Sequence, residues 1–171
     1  MIKLSNSKPK KIASFKIDHI HLRPGLYVSR IDKEGDVTVT TFDLRLVKPN
    51  SHIIDPPLST AAMHTIEHLG ATYLRNRKGW RSKIIYFGPM GCRTGFYAIL
   101  FGKYTTQDVK NLFSCMAKYI INWKGDIPGT TAIECGNYPD HDLSAAKKAM
   151  AKWLRIMTAS QLDYDPFTYP K

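Results

Sequence analysis

The chain is short of acid, poor in cysteine and without a long apolar run. Only 14 aspartates and glutamates stand against 25 lysines and arginines, a formal net charge of +11 at pH 7. The longest apolar stretches, such as 96–102, fall far short of the roughly 20 residues that cross a bilayer, and the segment from Met1 to Phe15 lacks the apolar run of a secretory signal. A cytoplasmic protein with no membrane partner is expected. Three cysteines, Cys92, Cys115 and Cys135, are an odd number without a signal peptide, which argues against a disulfide framework and leaves thiols free for nucleophilic, acid–base or metal-ligating work. Internal repeats and low-complexity segments are also missing.

What is present is a globular composition: 171 residues, 43% hydrophobic and 23% charged, enough for one domain with a buried core. The positive charge is uneven. Lys3, Lys8, Lys10, Lys11 and Lys16 fall in the first 16 residues with no acid among them, so a basic arm over 1–12 holds much of the excess and a single domain over 13–171 holds the rest. A nucleic-acid partner is the first reading of such charge. It is not the expected one, because no helix-turn-helix, aromatic RNA-binding pattern or paired Cys/His finger accompanies it.

Hydrophobic periodicity orders the chain. A first strand is expected over Ser14–His19, and a hairpin over Leu26–Ile31 and Val37–Val47 turns at Lys33-Glu-Gly-Asp36. Ser59 or Thr60 caps a helix carrying Ile66, Leu69, Tyr73 and Leu74, which Gly79 closes. Strands at Lys83–Phe87 and Thr94–Phe101 flank the loop Gly88–Gly95. A helix over Thr106–Trp123 buries Val109, Leu112, Phe113, Met116, Ile120 and Trp123, with Cys115 taken as core. After an irregular stretch over Gly125–Asp140, a last helix from Asp142 turns Leu143, Ala146, Met150, Trp153, Leu154 and Met157 inward. Short turns between strands imply an α+β fold, an antiparallel sheet with helices on one face.

The strongest local signal is His64-Thr-Ile-Glu67-His68 inside the first helix. Positions four apart differ by about 40° on a helix, so both imidazoles project from one face, as two ligands of one metal must. Glu67 lies beside that face as a proton carrier. The same H-x-x-E-H order occurs in zinc peptidases, and a solvated helix face is the plainer reading. Two histidines leave a tetrahedral site incomplete; Cys135, in a Gly/Asn loop, is the best third ligand, against the alternative of a small buried hydrophobe. Cys92, between Gly91, Arg93 and Gly95, suits an exposed thiol of depressed pKa, or an idle residue in a glycine turn. His19, His21, His52 and His141 show no mutual spacing that demands a shared metal, and Arg45 and Arg75 read equally as surface charges.

Taken together, Ser14-Phe-Lys-Ile-Asp-His19, Phe42-Asp-Leu-Arg45, His64-Thr-Ile-Glu67-His68, Gly88-Pro-Met-Gly-Cys92-Arg-Thr-Gly95 and Glu134-Cys135-Gly136 resemble the S-ribosylhomocysteine lyase (LuxS) family in order and separation. The resemblance implies one metal per subunit, Fe2+ or a Zn2+ or Co2+ substitute, on His64, His68 and Cys135. It implies migration of the ribose carbonyl of S-ribosylhomocysteine through enediolates, then β-elimination to homocysteine and dihydroxypentanedione, precursor of a quorum-sensing autoinducer. It further implies Cys92 and Glu67 as the two proton carriers and Ser14, His19, Arg45 and Arg75 as substrate-binding positions. The family is homodimeric, with sites at the subunit interface. One departure stands out: six residues before the loop cysteine the family usually has Asp, and this chain has Tyr86, with Gly88 where Ser is common. A phenol cannot supply a carboxylate's charge at neutral pH.

Overall fold

A computed structural model describes residues 9–170; most of the expected basic arm, residues 1–8, lies outside the described residues. Ser14–His19 is not a strand. A short 3-10 helix covers Ala13–Lys16, and the chain then turns, with the Asp18 carboxylate accepting from the Ile20 amide at 2.8 Å. The alternation there pairs with no neighbouring strand, Phe15 is largely exposed, and local side-chain bonds take the backbone instead.

Four strands follow in one antiparallel sheet: β1 (Gly25–Glu34), β2 (Val37–Arg45), β3 (Ile84–Pro89) and β4 (Gly95–Phe101), in the order β1-β2-β4-β3. The first hairpin turns at Gly35, as its residue pattern predicts. Three helices, α1 (Thr60–Asn76), α2 (Thr106–Asn122) and α3 (Leu143–Thr158), cover one face. Each begins at a polar cap: Ser59 and Asp142 accept from the third amide beyond, and Thr105 and Asp108 form a reciprocal capping box.

Period-two alternation puts Leu26, Phe42, Leu44, Phe96, Ala98 and Leu100 on the helix-covered face, where they meet Ile66, Leu69, Phe113, Met116 and Trp153. The Trp153 indole N–H donates to the Gly25 carbonyl at 3.1 Å, so this fully buried ring ties α3 to β1. Leu143 and Leu154 are only half-buried, and Trp123 serves as the α2 C-cap. Cys115 is not core: it is only half-buried, and its Sγ lies 3.6 Å from the Asn111 side chain. Adjacent helical positions are about 100° apart, so sequence neighbours of a buried pair need not share its face.

Two features place the site. Gly70 of α1 sits against the Phe87 ring of β3, where a Cβ would approach to 2.5 Å, so a residue without a side chain lets α1 lie close on the sheet. Among the described residues, the opposite face of the sheet carries no α-helix, and the short Ala13–Lys16 helix lies over part of it. This face presents Tyr27, Thr41, Asp43, Arg45, Tyr86, Tyr97, Ile99 and Phe101. Among the described residues, no helix is long and apolar enough to cross a membrane.

Candidate functional site

On α1, His64 and His68 stand one turn apart with ring centroids 4.5 Å from each other. Their Nδ1 atoms face carbonyl oxygens, Asp140 at 3.0 Å and Pro128 at 2.7 Å. A carbonyl only accepts, so each Nδ1 carries the proton and each Nε2 keeps a free lone pair. The 125–140 loop thus sets both tautomers from its backbone. Cys135 of the same loop brings Sγ to 3.2 Å from His64 Nε2.

A third imidazole joins them. His141 stacks on His64 at 4.1 Å, and one ring nitrogen from each of His64, His68 and His141 lies within 4.8 Å of the others. The residue is carried there by α3: the Asp142 amide donates to Thr65 Oγ1 at 3.0 Å and to the Ala61 carbonyl at 3.2 Å, pinning the start of α3 to α1. The Thr65 hydroxyl spends its proton on the Ala61 carbonyl and therefore accepts from His141 Nδ1 at 3.2 Å. His141 Nε2 is buried without a partner. Burial, with His64 and His68 nearby, holds this imidazole below the ordinary histidine range. Three imidazoles with ring nitrogens in mutual reach, one of them orphaned, and the Cys135 thiol beside His64 offer donors that fit a first-row divalent ion. Glu67 lies half-buried on the same helix.

The second cluster is on the far side of the Pro89–Arg93 loop. Cys92 Sγ is 3.0 Å from Thr94 Oγ1 and 3.8 Å from an Arg45 guanidinium nitrogen, which also bonds Thr94. Arg45 in turn pairs with Asp43 at 2.6 Å, both side chains almost wholly buried. Burial opposes the Cys92 thiolate, but the Thr94 hydrogen bonds and the Arg45 charge outweigh it, and the thiol is held below its usual range.

These clusters open into different clefts. One of about 500 Å3 is lined by Thr60, Met63, His64, Arg93, Asn137 and Asp140, and another of about 320 Å3 by Ser14, His19, Arg45, Cys92 and Tyr97. Pro89, Met90 and Gly91 line both and form the wall between them. The structure therefore gathers His64, His68 and Cys135 in one place, and Ser14, His19, Arg45 and Cys92 in another. Arg75 joins neither; its guanidinium donates to the Ile85 carbonyl at 2.9 Å beside the β3 bulge.

The family model for S-ribosylhomocysteinase (LuxS) matches residues 12–163. The chain belongs to that family. Among its relatives, the S-ribosylhomocysteine lyase of Borrelia garinii is 53% identical over 148 residues, covering 86% of this chain and 92% of the relative. That of Clostridium acetobutylicum is 49% identical over 162 residues, covering 95% and 99%. The lyase of Desulfotalea psychrophila is 52% identical over 144 residues, covering 84% and 89%. Neither the zinc-peptidase nor the nucleic-acid reading finds support among these relatives.

In this member of the LuxS family, Tyr86 and Gly88 are in direct contact. The Tyr86 ring folds over Gly88 so closely that a Cβ at 88 would collide with the phenol. A serine at 88 and this placement of the tyrosine are mutually exclusive. The histidine that residue spacing left aside is His141, 73 residues from His68 in the chain. Its only sequence signal is its place just before the Asp142 cap, six residues past Cys135.

Proposed function

We propose that this chain is an S-ribosylhomocysteine lyase acting as a cytoplasmic homodimer, and that His64, His68 and Cys135 hold one Fe2+, or a Zn2+ or Co2+ substitute, per subunit. The observation that carries the reading is the co-occurrence, in a chain about half identical to lyases of that name, of an imidazole–thiol cluster and a separately activated thiol. The bound ion would polarise the sugar's carbonyl oxygen as a Lewis acid.

The protein's own groups move the protons. Cys92, as thiolate beside Arg45, removes a proton from the carbon next to the ribose carbonyl and returns it to the adjoining one. Glu67 performs the complementary transfers between oxygens. After two such isomerisations the carbonyl stands at C3, and loss of the C4 proton expels homocysteine as its thiolate; the C5–S bond breaks and dihydroxypentanedione remains. Ser14 and His19 hold ribose hydroxyls. Arg45 lines the Cys92 cleft while keeping its pairing with Asp43, and Arg75 would have to leave the Ile84 and Ile85 carbonyls to take a carboxylate. The same chemistry makes the product a signal precursor.

Two observations support the dimer. The wall of Pro89, Met90 and Gly91 keeps Cys92 and His64 of one chain in separate clefts, and a second copy would bring the missing half to each. The free ends and edge of the sheet expose Ile31, Val37, Tyr86 and Phe101, each 45% accessible or more. Incubating the metal-loaded, reduced protein with S-ribosylhomocysteine should release one free thiol per substrate; absence of thiol would overturn the lyase reading. Glu67→Ala should lower turnover by about 10²–10⁴-fold with metal content unchanged, and sedimentation should return twice the chain mass.

A further inference from the structure

The last residues of the chain form a strap across the side of β1 and β2 that carries no α-helix. It leaves α3 at Ala159 and is fastened repeatedly: Arg23 pairs with Asp163 at 2.6 Å, the Tyr164 hydroxyl donates to the Pro24 carbonyl at 2.8 Å, and the Leu26 amide donates to the Pro166 carbonyl at 2.8 Å. Beyond this, Tyr169 stacks on Tyr27 with centroids 4.6 Å apart and rings nearly parallel. Its hydroxyl donates to Asp43 Oδ2 at 2.9 Å, the same oxygen that Arg45 grips. Tyr169 lies beyond residue 163, where the match to the family model ends.

A relay of contacts therefore runs Tyr169–Asp43–Arg45–Cys92. Asp43 and Arg45 point away from the core, two apart on β2, yet are 0% and 2% exposed. The remaining carboxylate oxygen, Asp43 Oδ1, and Arg45 Nε have no hydrogen-bond partner among the described residues. A carboxylate so placed has few contacts to fix its rotation, and its rotation decides which edge of the guanidinium is left for the thiol.

We propose that Tyr169 is a positioning residue for Cys92: its hydroxyl fixes the Asp43 carboxylate, and so aims the free edge of Arg45 at the thiol. The inference rests on the role given to Cys92 above, but not on the identity of the substrate. Burial and the Asp43 carboxylate hold the Tyr169 phenol far above its ordinary range, so it remains a donor at every working pH. The groups facing the thiol are Arg45 and, behind it, Asp43 from β2, Tyr97 from β4, Thr94 from its own loop, His19 from the N-terminal segment and His52 from the 49–57 loop.

The test is the pH dependence of Cys92 alkylation by iodoacetamide in the metal-loaded full chain, followed at the Cys92 peptide so that Cys115 and Cys135 do not contribute. Tyr169→Phe keeps the stacked ring and removes only the donor. Its Cys92 should react roughly fivefold more slowly at neutral pH, with the midpoint moved up by roughly 0.7 unit. Tyr164→Phe, which loosens the same strap without touching Asp43, should leave the profile in place. A Tyr169→Phe profile that superimposes on wild type, or an equal shift in Tyr164→Phe, would overturn the proposal and leave the strap a purely structural element. Thiol release from S-ribosylhomocysteine, measured separately on wild type, distinguishes failure of the lyase reading from failure of this one.

Discussion

The imidazole cluster and the thiol cluster sit on two sides of the Pro89-Met90-Gly91 wall and are held in place by different forces. His64 and His68 are oriented by main-chain carbonyls of the 125–140 loop, and His141 by a hydroxyl that is itself anchored to helix backbone. Neutral hydrogen bonds do this work, and none depends on a distant charge. Cys92 is oriented by charge: a buried guanidinium, its carboxylate and a tyrosine from the chain's far end. Ligands that must present lone pairs to a cation are best held neutral and rigid. A thiol that must ionise near neutral pH needs a cation beside it, and that cation needs its own counter-ion to stay buried.

The comparison breaks most visibly under substitution of its two thiols. Cys92→Ala should reduce turnover by about 10³-fold or more while metal analysis shows full loading, whereas Cys135→Ala should lose metal and activity together. Equal metal loss in both variants would erase the distinction. Arg45→Met leaves the Asp43 carboxylate buried and unpaired, so chemical denaturation should show a loss of about 3–5 kcal/mol. In the same variant the Cys92 alkylation midpoint should rise. The sign follows from the thiol being held below its usual range: thiolate is present at lower pH than in free cysteine, and removing the cation pushes its appearance to higher pH.

Smaller effects sharpen the contrast on the imidazole side. His141→Ala should weaken metal binding by about 10–100-fold in chelator competition and leave Cys92 alkylation unchanged, because no charge connects the two clusters. Gly88→Ser alone forces the Tyr86 ring off its place, but combined with Tyr86→Ala it should cost little. The two substitutions should therefore be non-additive by about 0.5–3 kcal/mol in a double-mutant cycle of unfolding free energies.

Much of this was legible in the residues. The caps at Ser59, Thr105 and Asp142, the period of α2 and the turn at Gly35 are local, and local chemistry places elements within a residue or two. H-x-x-E-H needs only helical geometry to put His64 and His68 on one face. Ser14–His19 misled because alternation marks a strand only where a neighbouring strand can pair with it. Cys115 misled because apolar neighbours in sequence need not share a face of a helix. His141 was invisible because nothing local links it to residues 73 and 77 positions earlier; the Asp142–Thr65 bond does that.

The sequence by itself determined the order of elements from β1 onward, the family, the helical pair on α1 and the glycine-rich setting of Cys92, since each depends on short-range spacing or on matched motifs. Only the tertiary structure decided that the two clusters open into separate clefts, that His141 completes a ring of imidazoles, that the Tyr86 ring lies over Gly88, and that Tyr169 reaches the Asp43–Arg45 pair. These are contacts between segments 60 to 130 residues apart or across the pleat of a sheet. Their geometry is set by how the layers pack, which no local pattern encodes.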